Sequence, residues 1–168
     1  GNSYKHCGLF GEISIISFNG NKIITTGGGG VLITSNKELA FRAKHLSTTA
    51  KIPHKWELAH DEIGWNDRLP NLNAALGVSQ METLKTRLDL KKRLFASYQE
   101  ILSDFDGLEL LKTTDGSKSN NWLISLRITN QDQLNAKKVR DQILNFAYEK
   151  GFLLRPSWKL LSQLKMYK

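Results

Sequence analysis

Residues 13–30 have the sequence ISIISFNGNKIITTGGGG, which predicts a strand, a tight turn that carries a lysine, and a glycine run. Segment 12–17 is too rich in isoleucine for a strand with one solvated face, so we expect it to be buried in an α/β sheet. Asn19-Gly20 is a strong turn dipeptide, and an apolar strand follows at 31–33. The stretch therefore predicts an α/β fold with the turn at a rigid edge.

The lysine of this turn, Lys22, has two interpretations. A lysine beside the edge of a buried strand can present its amine to a cleft and attack a carbonyl group. Most lysines are exposed, however, and the spacing alone favours a solvated turn residue. The glycine run that follows is not a P-loop, because the Lys-Ser/Thr ending is absent. The residues by themselves leave both interpretations open.

Composition narrows the class of protein. The chain has 168 residues, a net charge of +8 and 40% hydrophobic residues. No run approaches about eighteen consecutive apolar residues, so we expect no membrane association. Cys7 is the only cysteine, which excludes an intrachain disulfide and fits the cytoplasm, where we expect the protein to act. The densest basic run, residues 85–93, lies on a predicted helix with a separate apolar face, so we expect a solvated surface and no nucleic-acid binding.

Local signals predict the remaining elements. Asn36 can cap a helix over 37–46, and Gly151 can end a helix that begins near residue 133. We also expect a loop over 47–60, a long helix over 72–105 with a break near Thr86, and strands at 108–111, 122–129 and 152–155. The strand at 122–129, the helix from residue 133 and the strand at 152–155 would form a compact α/β lobe.

A second informative block is HDEIGWNDRLPNLNAALG, residues 60–77. Arg68 in this block can pair with a neighbouring carboxylate or face a phosphate, and the sequence does not choose. The neighbouring carboxylates are Asp61, Glu62 and Asp67. Asn66 by itself indicates only a turn before a helix. The histidines at 45, 54 and 60 lack a metal-binding spacing, so we expect no metal site.

The two blocks together resemble the DegT/StrS group of nucleotide-sugar aminotransferases, which use pyridoxal 5'-phosphate (PLP). Ser17-Phe18-x-x-x-Lys22, followed by Thr26-Gly27-x-Gly29-Gly30, is similar to the lysine segment of that family. Residues 64–75 are similar to its Gly-Tyr-Asn-Tyr-Arg-Met and Asn-Ala-Ala motifs, with Trp65 and Asp67 replacing aromatic residues. The tail RPSWKLL, residues 155–161, resembles the branch that aminates UDP-linked 4-keto sugars for bacillosamine and legionaminic acid.

The resemblance implies a fold and an activity. The fold would be PLP-dependent transferase fold type I, which is aspartate aminotransferase-like. Residues 1–75 would be the C-terminal part of the large PLP-binding domain, and 76–168 the helical connection and the small C-terminal α/β domain. The activity would be transamination of a UDP-linked 4-keto sugar to a 4-amino sugar in glycan and polysaccharide biosynthesis, with glutamate as the expected amino-acid donor.

The resemblance also implies a set of site residues. Lys22 would hold the aldehyde of PLP, and Ser17 would bind its phosphate. Asn66 would reach the phosphate of the partner subunit in a homodimer with shared active sites. The expected substrate-binding residues are Asn19, His60, Arg68, Arg155 and Trp158.

The resemblance covers only the latter part of a family enzyme. We therefore expect the chain to be incompetent alone, because the carboxylate that partners the pyridine nitrogen lies upstream in the family. Two other functions stay open: a non-catalytic assembly fragment of the same fold, and a basic nucleic-acid-binding module. Formation of a yellow PLP adduct would separate the first interpretation from these two.

Overall fold

The computed structural model describes residues 4–167, which form two compact units. The first unit extends to Arg93 and includes Thr114–Trp122, and the second contains Leu94–Thr113 and the chain from Leu123. The domain boundary expected between residues 75 and 76 concerns the complete enzyme and stays a prediction. No helix within the described residues is long and apolar enough to cross a membrane.

Among the described residues of the first unit, one antiparallel pair of strands forms a sheet. Strand β1 (Ser14–Ser17) pairs with β2 (Gly30–Ile33), with Ser17 opposite Gly30. A Cβ atom at Gly30 would lie 2.7 Å from the carbonyl oxygen of Ile16, so the close approach of the two strands requires glycine there.

The expected burial of strand 12–17 is wrong within this chain. Ile15 is 79% exposed, and the strand begins only at Ser14. The reason is that the sheet has two strands among residues 4–167, so its apolar side chains lack a covering layer.

Three helices complete the first unit and lead out of it. Helix α1 (Lys37–Ser47) is capped by the Asn36 side chain, which accepts from the backbone N–H of Glu38 at 2.9 Å. Helices α2 (Asn71–Glu82) and α3 (Leu84–Leu102) form the long, interrupted helical region expected over 72–105. The break lies at Thr83, not near Thr86, and the Thr83 hydroxyl accepts from Arg87 Nε at 2.9 Å.

The second unit has a small sheet and one further helix. Strand β3 (Leu108–Leu110) pairs antiparallel with β4 (Leu126–Ile128), and helix α4 (Gln133–Glu149) follows. Leu110 and Ala147 are its buried apolar side chains among the described residues. Gly151, with φ +81°, ends α4 as expected. Short 3-10 turns lie at Cys7–Leu9, Leu161–Gln163 and Lys165–Tyr167.

Two predicted strands of this unit need correction. The strand expected over 122–129 is limited to Leu126–Ile128. Residues 152–155 form no strand, because the N–H of Phe152 donates to Ala147 O at 2.8 Å and closes the end of α4.

Candidate active site

Backbone hydrogen bonds fix the turn that carries Lys22. The N–H of Lys22 donates to Asn19 O at 3.0 Å, which closes the turn. The N–H of Phe18 donates to Gly29 O at 3.0 Å, and Phe18 O accepts from Thr26 N at 3.1 Å. Both ends of the stretch are therefore tied together, and the half-buried Lys22 side chain extends from a rigid base.

Helix α2 contacts this stretch at Thr26, which is 2% exposed. The Thr26 carbonyl accepts from Asn73 Nδ2 at 2.5 Å. A Cβ atom at Gly77, one turn later on α2, would lie 2.9 Å from the Thr26 methyl group. Asn73 belongs to the Asn-Ala-Ala motif, for which the sequence predicted no role. In the structure its hydrogen bond joins α2 to the stretch that carries Lys22.

The side chain of Lys22 lies over the ring of Trp122. Its Nζ atom is 3.6 Å from the ring centroid, and the Trp122 indole N–H donates to Asn21 O at 2.7 Å. Trp122 was expected at the start of a strand, but it belongs to the first unit and is in no strand. One hundred residues separate it from Lys22, and no local signal in the sequence indicates the contact.

Two basic residues of α3 bind backbone carbonyls beside Lys22. Arg87 Nη1 donates to Ile23 O at 3.5 Å, and Lys91 Nζ donates to Trp122 O at 3.2 Å. Both side chains are half-buried. The expectation of a simple solvated face for residues 85–93 is therefore wrong at these two positions, which lie four residues apart on one side of the helix.

The segment between α1 and α2 carries His60 and Asn66. His60 Nδ1 donates to Thr49 O at 2.6 Å, and Asn66 forms an isolated bridge with Thr48. Thr49 and Ala50 have φ of 69° and 48°, a left-handed conformation that is uncommon outside glycine. The segment is thus held against the end of α1 by specific backbone contacts.

In the described part of the chain, Arg68 forms no ion pair with Asp61, Glu62 or Asp67, the neighbouring carboxylates in the sequence. Its Nε atom donates to the side-chain oxygen of Asn66 at 3.2 Å. Among residues 4–167, Asp61 pairs with His45 and Glu62 with Arg42, so these two are engaged elsewhere. Arg68 and Asn66 form one polar group whose remaining N–H donors suit an anion.

The cluster of Arg42, His45, Asp61 and Glu62 joins α1 to this segment. His45 Nε2 lies 2.7 Å from Asp61 Oδ1, and Arg42 Nη2 donates to Glu62 Oε2 at 2.7 Å. The hydrogen bond from His45 holds the pKa of Asp61 below its usual value. The ligand atoms of His45, Asp61 and Glu62 are close enough to surround a cation, but the Arg42 guanidinium already pairs with Glu62.

The other predicted site residues lie in two places. Ser17, Asn19 and Lys22 share the turn, where the exposed Ser17 hydroxyl accepts from Asn19 N at 3.3 Å. Arg155 belongs to the second unit, where it lines a cleft of about 620 Å³ together with Lys137 and Arg140. Trp158, in the same unit, is 78% exposed. Within residues 4–167, no hydrogen bond joins the Lys22 turn to His60, Asn66 or Arg68.

An apolar cleft of about 580 Å³ lies between the turn and α2. Its lining includes Phe18, Leu69 and Met81 and none of the predicted site residues. The candidate site is therefore defined by the surroundings of Lys22 and not by this cavity.

Comparisons with known proteins identify relatives along the whole chain. The model of the DegT/DnrJ/EryC1/StrS aminotransferase family matches residues 1–168. EpsN of Bacillus subtilis, described as a pyridoxal phosphate-dependent aminotransferase, is 36% identical over 157 residues, which are 94% of this chain and 39% of EpsN. The UDP-4-amino-4,6-dideoxy-N-acetyl-beta-L-altrosamine transaminase of Campylobacter jejuni (strain 81-176) is 25% identical, with 96% of this chain and 45% of the relative covered.

A solved structure supports the fold. PseC of Helicobacter pylori, an aminotransferase involved in the biosynthesis of pseudoaminic acid, matches with a TM-score of 0.89 and 25% identity over 99% of this chain and 44% of PseC. The predicted α/β fold type I is confirmed by this likeness. The chain thus spans less than half the length of these relatives.

Proposed function

Because the chain belongs to the DegT/DnrJ/EryC1/StrS aminotransferase family, whose cofactor is PLP, we propose that it supplies the lysine of a PLP-dependent sugar aminotransferase. The reaction moves an amino group from an amino acid, with glutamate as the donor we expect, to the C4 ketone of a UDP-linked sugar. The observation that carries the proposal is Lys22 itself, a half-buried amine on a turn that hydrogen bonds fix on both sides.

The groups proposed to hold the cofactor suit PLP chemically. A primary amine at Lys22 matches an aldehyde, and the Ser17 hydroxyl and Asn66 carboxamide match phosphate oxygens. When bound, PLP supplies an electron sink for the bonds made and broken at the amino-bearing carbon.

The roles of the chain's own residues follow from their chemistry. Lys22 would hold the cofactor, and its free amine could move a proton to or from the sugar carbon. Ser17 would donate a hydrogen bond to the phosphate. Asn66 would donate one from its amide nitrogen, since its oxygen already accepts from Arg68. The pairing with Arg68 therefore orients the amide group for this role.

The residues proposed to bind the sugar nucleotide carry groups that suit its parts. Asn19 lies on the Lys22 turn, and His60 and Arg68 lie on the segment before α2. Arg155 and Trp158 supply a cation and an aromatic surface, which suit a diphosphate and a sugar or base ring. The UDP-sugar assignment rests on the tail segment 155–161 and on the likeness to the C. jejuni transaminase.

The proposal extends to the assembly and location of the enzyme. We infer that the enzyme is a homodimer in which Asn66 acts on the cofactor of the partner subunit. We also infer that the enzyme is cytoplasmic. Neither nucleic acid nor a membrane is part of the proposed reaction.

Reductive trapping tests the central assignment. The chain is incubated with PLP, reduced with borohydride and digested, and the peptides are mapped by mass spectrometry. We expect the pyridoxyl label on the peptide that contains Lys22. The Lys22→Ala variant should lose it, whereas Lys55→Ala, which removes an exposed lysine of the same unit, should keep it. A label found mainly on other lysines overturns the assignment.

A further inference from the structure

Three hydrogen bonds hold Trp122 next to Lys22. Its indole N–H donates to Asn21 O, the carbonyl that precedes Lys22, at 2.7 Å. Its own carbonyl accepts from Lys91 Nζ at 3.2 Å, and its backbone N–H donates to Asn120 Oδ1 at 3.1 Å. These bonds fix both the indole edge and the backbone, so the ring has a defined orientation.

The ring face meets the ammonium group of Lys22. At 3.6 Å from the ring centroid, Nζ lies well within the range of a cation–π contact, and tryptophan is the aromatic residue that makes the strongest one. The remaining cation–π contacts among the described residues join Lys5 to Phe10, Lys118 to Tyr4 and Lys150 to Phe146, at 4.7 Å or more. The contact at Lys22 is therefore the shortest of this group.

The path and the backbone conformation of residues 114–122 support a specific role for Trp122. Residues 114–122 pack with the first unit although the chain on both sides of them belongs to the second. Asn121 has φ 51°, a left-handed conformation that costs free energy for a non-glycine residue. Hydrogen bonds from the N–H of Asn121 to Ser119 and of Trp122 to Asn120 stabilise this bend. Residues 114–122 thus belong to the first unit and place the indole ring of Trp122 against Lys22.

We infer that Trp122 is a positioning residue that holds the ammonium group of Lys22 on its indole face whenever the lysine is not attached to the cofactor. The inference rests on the proposed function of Lys22, but the contact itself is independent of that function. Lys22 must leave the ring before it attacks an aldehyde. Since a cation–π contact at a partly exposed site favours the stacked arrangement by about two- to fivefold, it should slow attachment by the same factor.

Two variants of Trp122 separate the effect of its ring from that of its hydrogen bond to Asn21, and a third variant is the control. Trp122→Phe keeps an aromatic face but loses the N–H that binds Asn21, and Trp122→Leu loses both. The comparison of these two isolates the effect of the ring on Lys22. Trp56→Phe is the matched control, because Trp56 is 77% exposed in the same unit and contacts His54 edge-on at 5.0 Å.

The first measurement needs no cofactor. Lysines are methylated with ¹³C-formaldehyde, and the dimethyl signal of Lys22 is assigned through its loss in Lys22→Arg. We expect this signal upfield of the other lysines because of the ring current of Trp122. The shift should persist in Trp56→Phe, remain in part in Trp122→Phe and vanish in Trp122→Leu. An unshifted Lys22 signal in the unmodified sequence overturns the inference.

The second measurement follows the rate of PLP attachment at Lys22 by timed borohydride trapping. We expect attachment to be faster in Trp122→Leu than in Trp122→Phe, by less than the effect of the stronger tryptophan contact, which is about two- to fivefold. Equal rates, or a slower rate in Trp122→Leu, count against a holding role for the ring. If Lys22 is not labelled in any variant, the proposed function fails, while the ring-current result still decides the inference. Circular dichroism of each variant identifies any that does not fold.

Discussion

At the scale of single residues, the carbonyl groups on either side of Lys22 are both engaged. Asn21 O accepts from Trp122 and Ile23 O accepts from Arg87, while the N–H of Lys22 is bound by Asn19. Each such bond contributes a net stabilisation of about 0.5–1.5 kcal/mol. Together they restrict the backbone at the reactive residue far more than the turn dipeptide Asn19-Gly20 could do alone.

A pH dependence of stability follows from Asp61. Its pKa lies below the usual 3.8 because His45 donates a hydrogen bond to the carboxylate. As pH falls below 3.8, the carboxylate of Asp61 takes up a proton more readily in the unfolded chain than in the folded one. The stabilisation by the His45–Asp61 hydrogen bond is therefore present above the usual pKa of Asp61 and is lost as pH falls through its lower pKa in the folded chain. We expect Asp61→Asn to lower the thermal midpoint near neutral pH and to match the unmodified sequence in acid.

The measurement is thermal unfolding followed by circular dichroism between about pH 2 and pH 7. Asp89→Asn is the control, because Asp89 is exposed on α3 and forms no ion pair within the described part of the chain. If both variants differ from the unmodified sequence by the same amount at every pH, the His45–Asp61 contact does not contribute as described.

At the scale of elements, the segment between α1 and α2 depends on close backbone packing at Gly64. A Cβ atom there would lie 2.5 Å from the backbone nitrogen of Ala50 and 2.6 Å from the carbonyl carbon of Thr49. Backbone atoms cannot move aside as a flexible side chain can. The contact therefore sets the path of the segment that carries His60 and Asn66.

The corresponding prediction concerns Gly64→Ala. We expect the free energy of unfolding to fall by about 1–3 kcal/mol, the usual cost of overpacking a site that cannot relax. Gly20→Ala is the matched control, because no atom lies within 4 Å of a Cβ at Gly20, and its effect should stay within about 0.5 kcal/mol. Urea titrations give both values. Equal stability of the two variants would mean that the segment accommodates a methyl group at residue 64 without cost.

At the scale of the whole molecule, few apolar side chains of residues 4–167 are buried. The buried apolar residues among positions 4–167 are Ala50, Leu110 and Ala147. Large side chains such as Leu72, at 87%, and Ile63, at 83%, are left exposed. Surface of this kind is available for contacts with further polypeptide.

The shared-site proposal gives a prediction at this scale. In a full-length protein with this sequence, Lys22→Ala and Asn66→Ala subunits should each be inactive, because either change damages both sites of a homodimer. Unfolding and refolding the two together should restore about a quarter of the unmodified activity, since half of the dimers are mixed and each has one intact site.

The readout is transfer of the amino group from glutamate to the sugar nucleotide. Two preparations that carry the same substitution, mixed in the same way, should recover nothing. Absence of recovery in dimers that sediment normally would exclude a site shared through Asn66.

The sequence by itself determined the features that rest on local signals. Asn36 accepts hydrogen bonds at the start of α1, and Gly151 ends α4, as expected from short-range capping chemistry. The turn at Asn19–Lys22 is equally local. The resemblance of the two motifs to a known family implied the fold type, which the family match and the likeness to PseC confirm.

Only the tertiary structure decided which distant groups surround Lys22. The ring of Trp122, the Arg87 and Lys91 contacts and the Asn73 bond to Thr26 join positions 31 to 101 residues apart. Capping and turn signals extend over a few residues, whereas these contacts depend on where the chain returns in space. For the same reason the pattern at Ile15 indicated an apolar strand correctly but not whether another layer covers it.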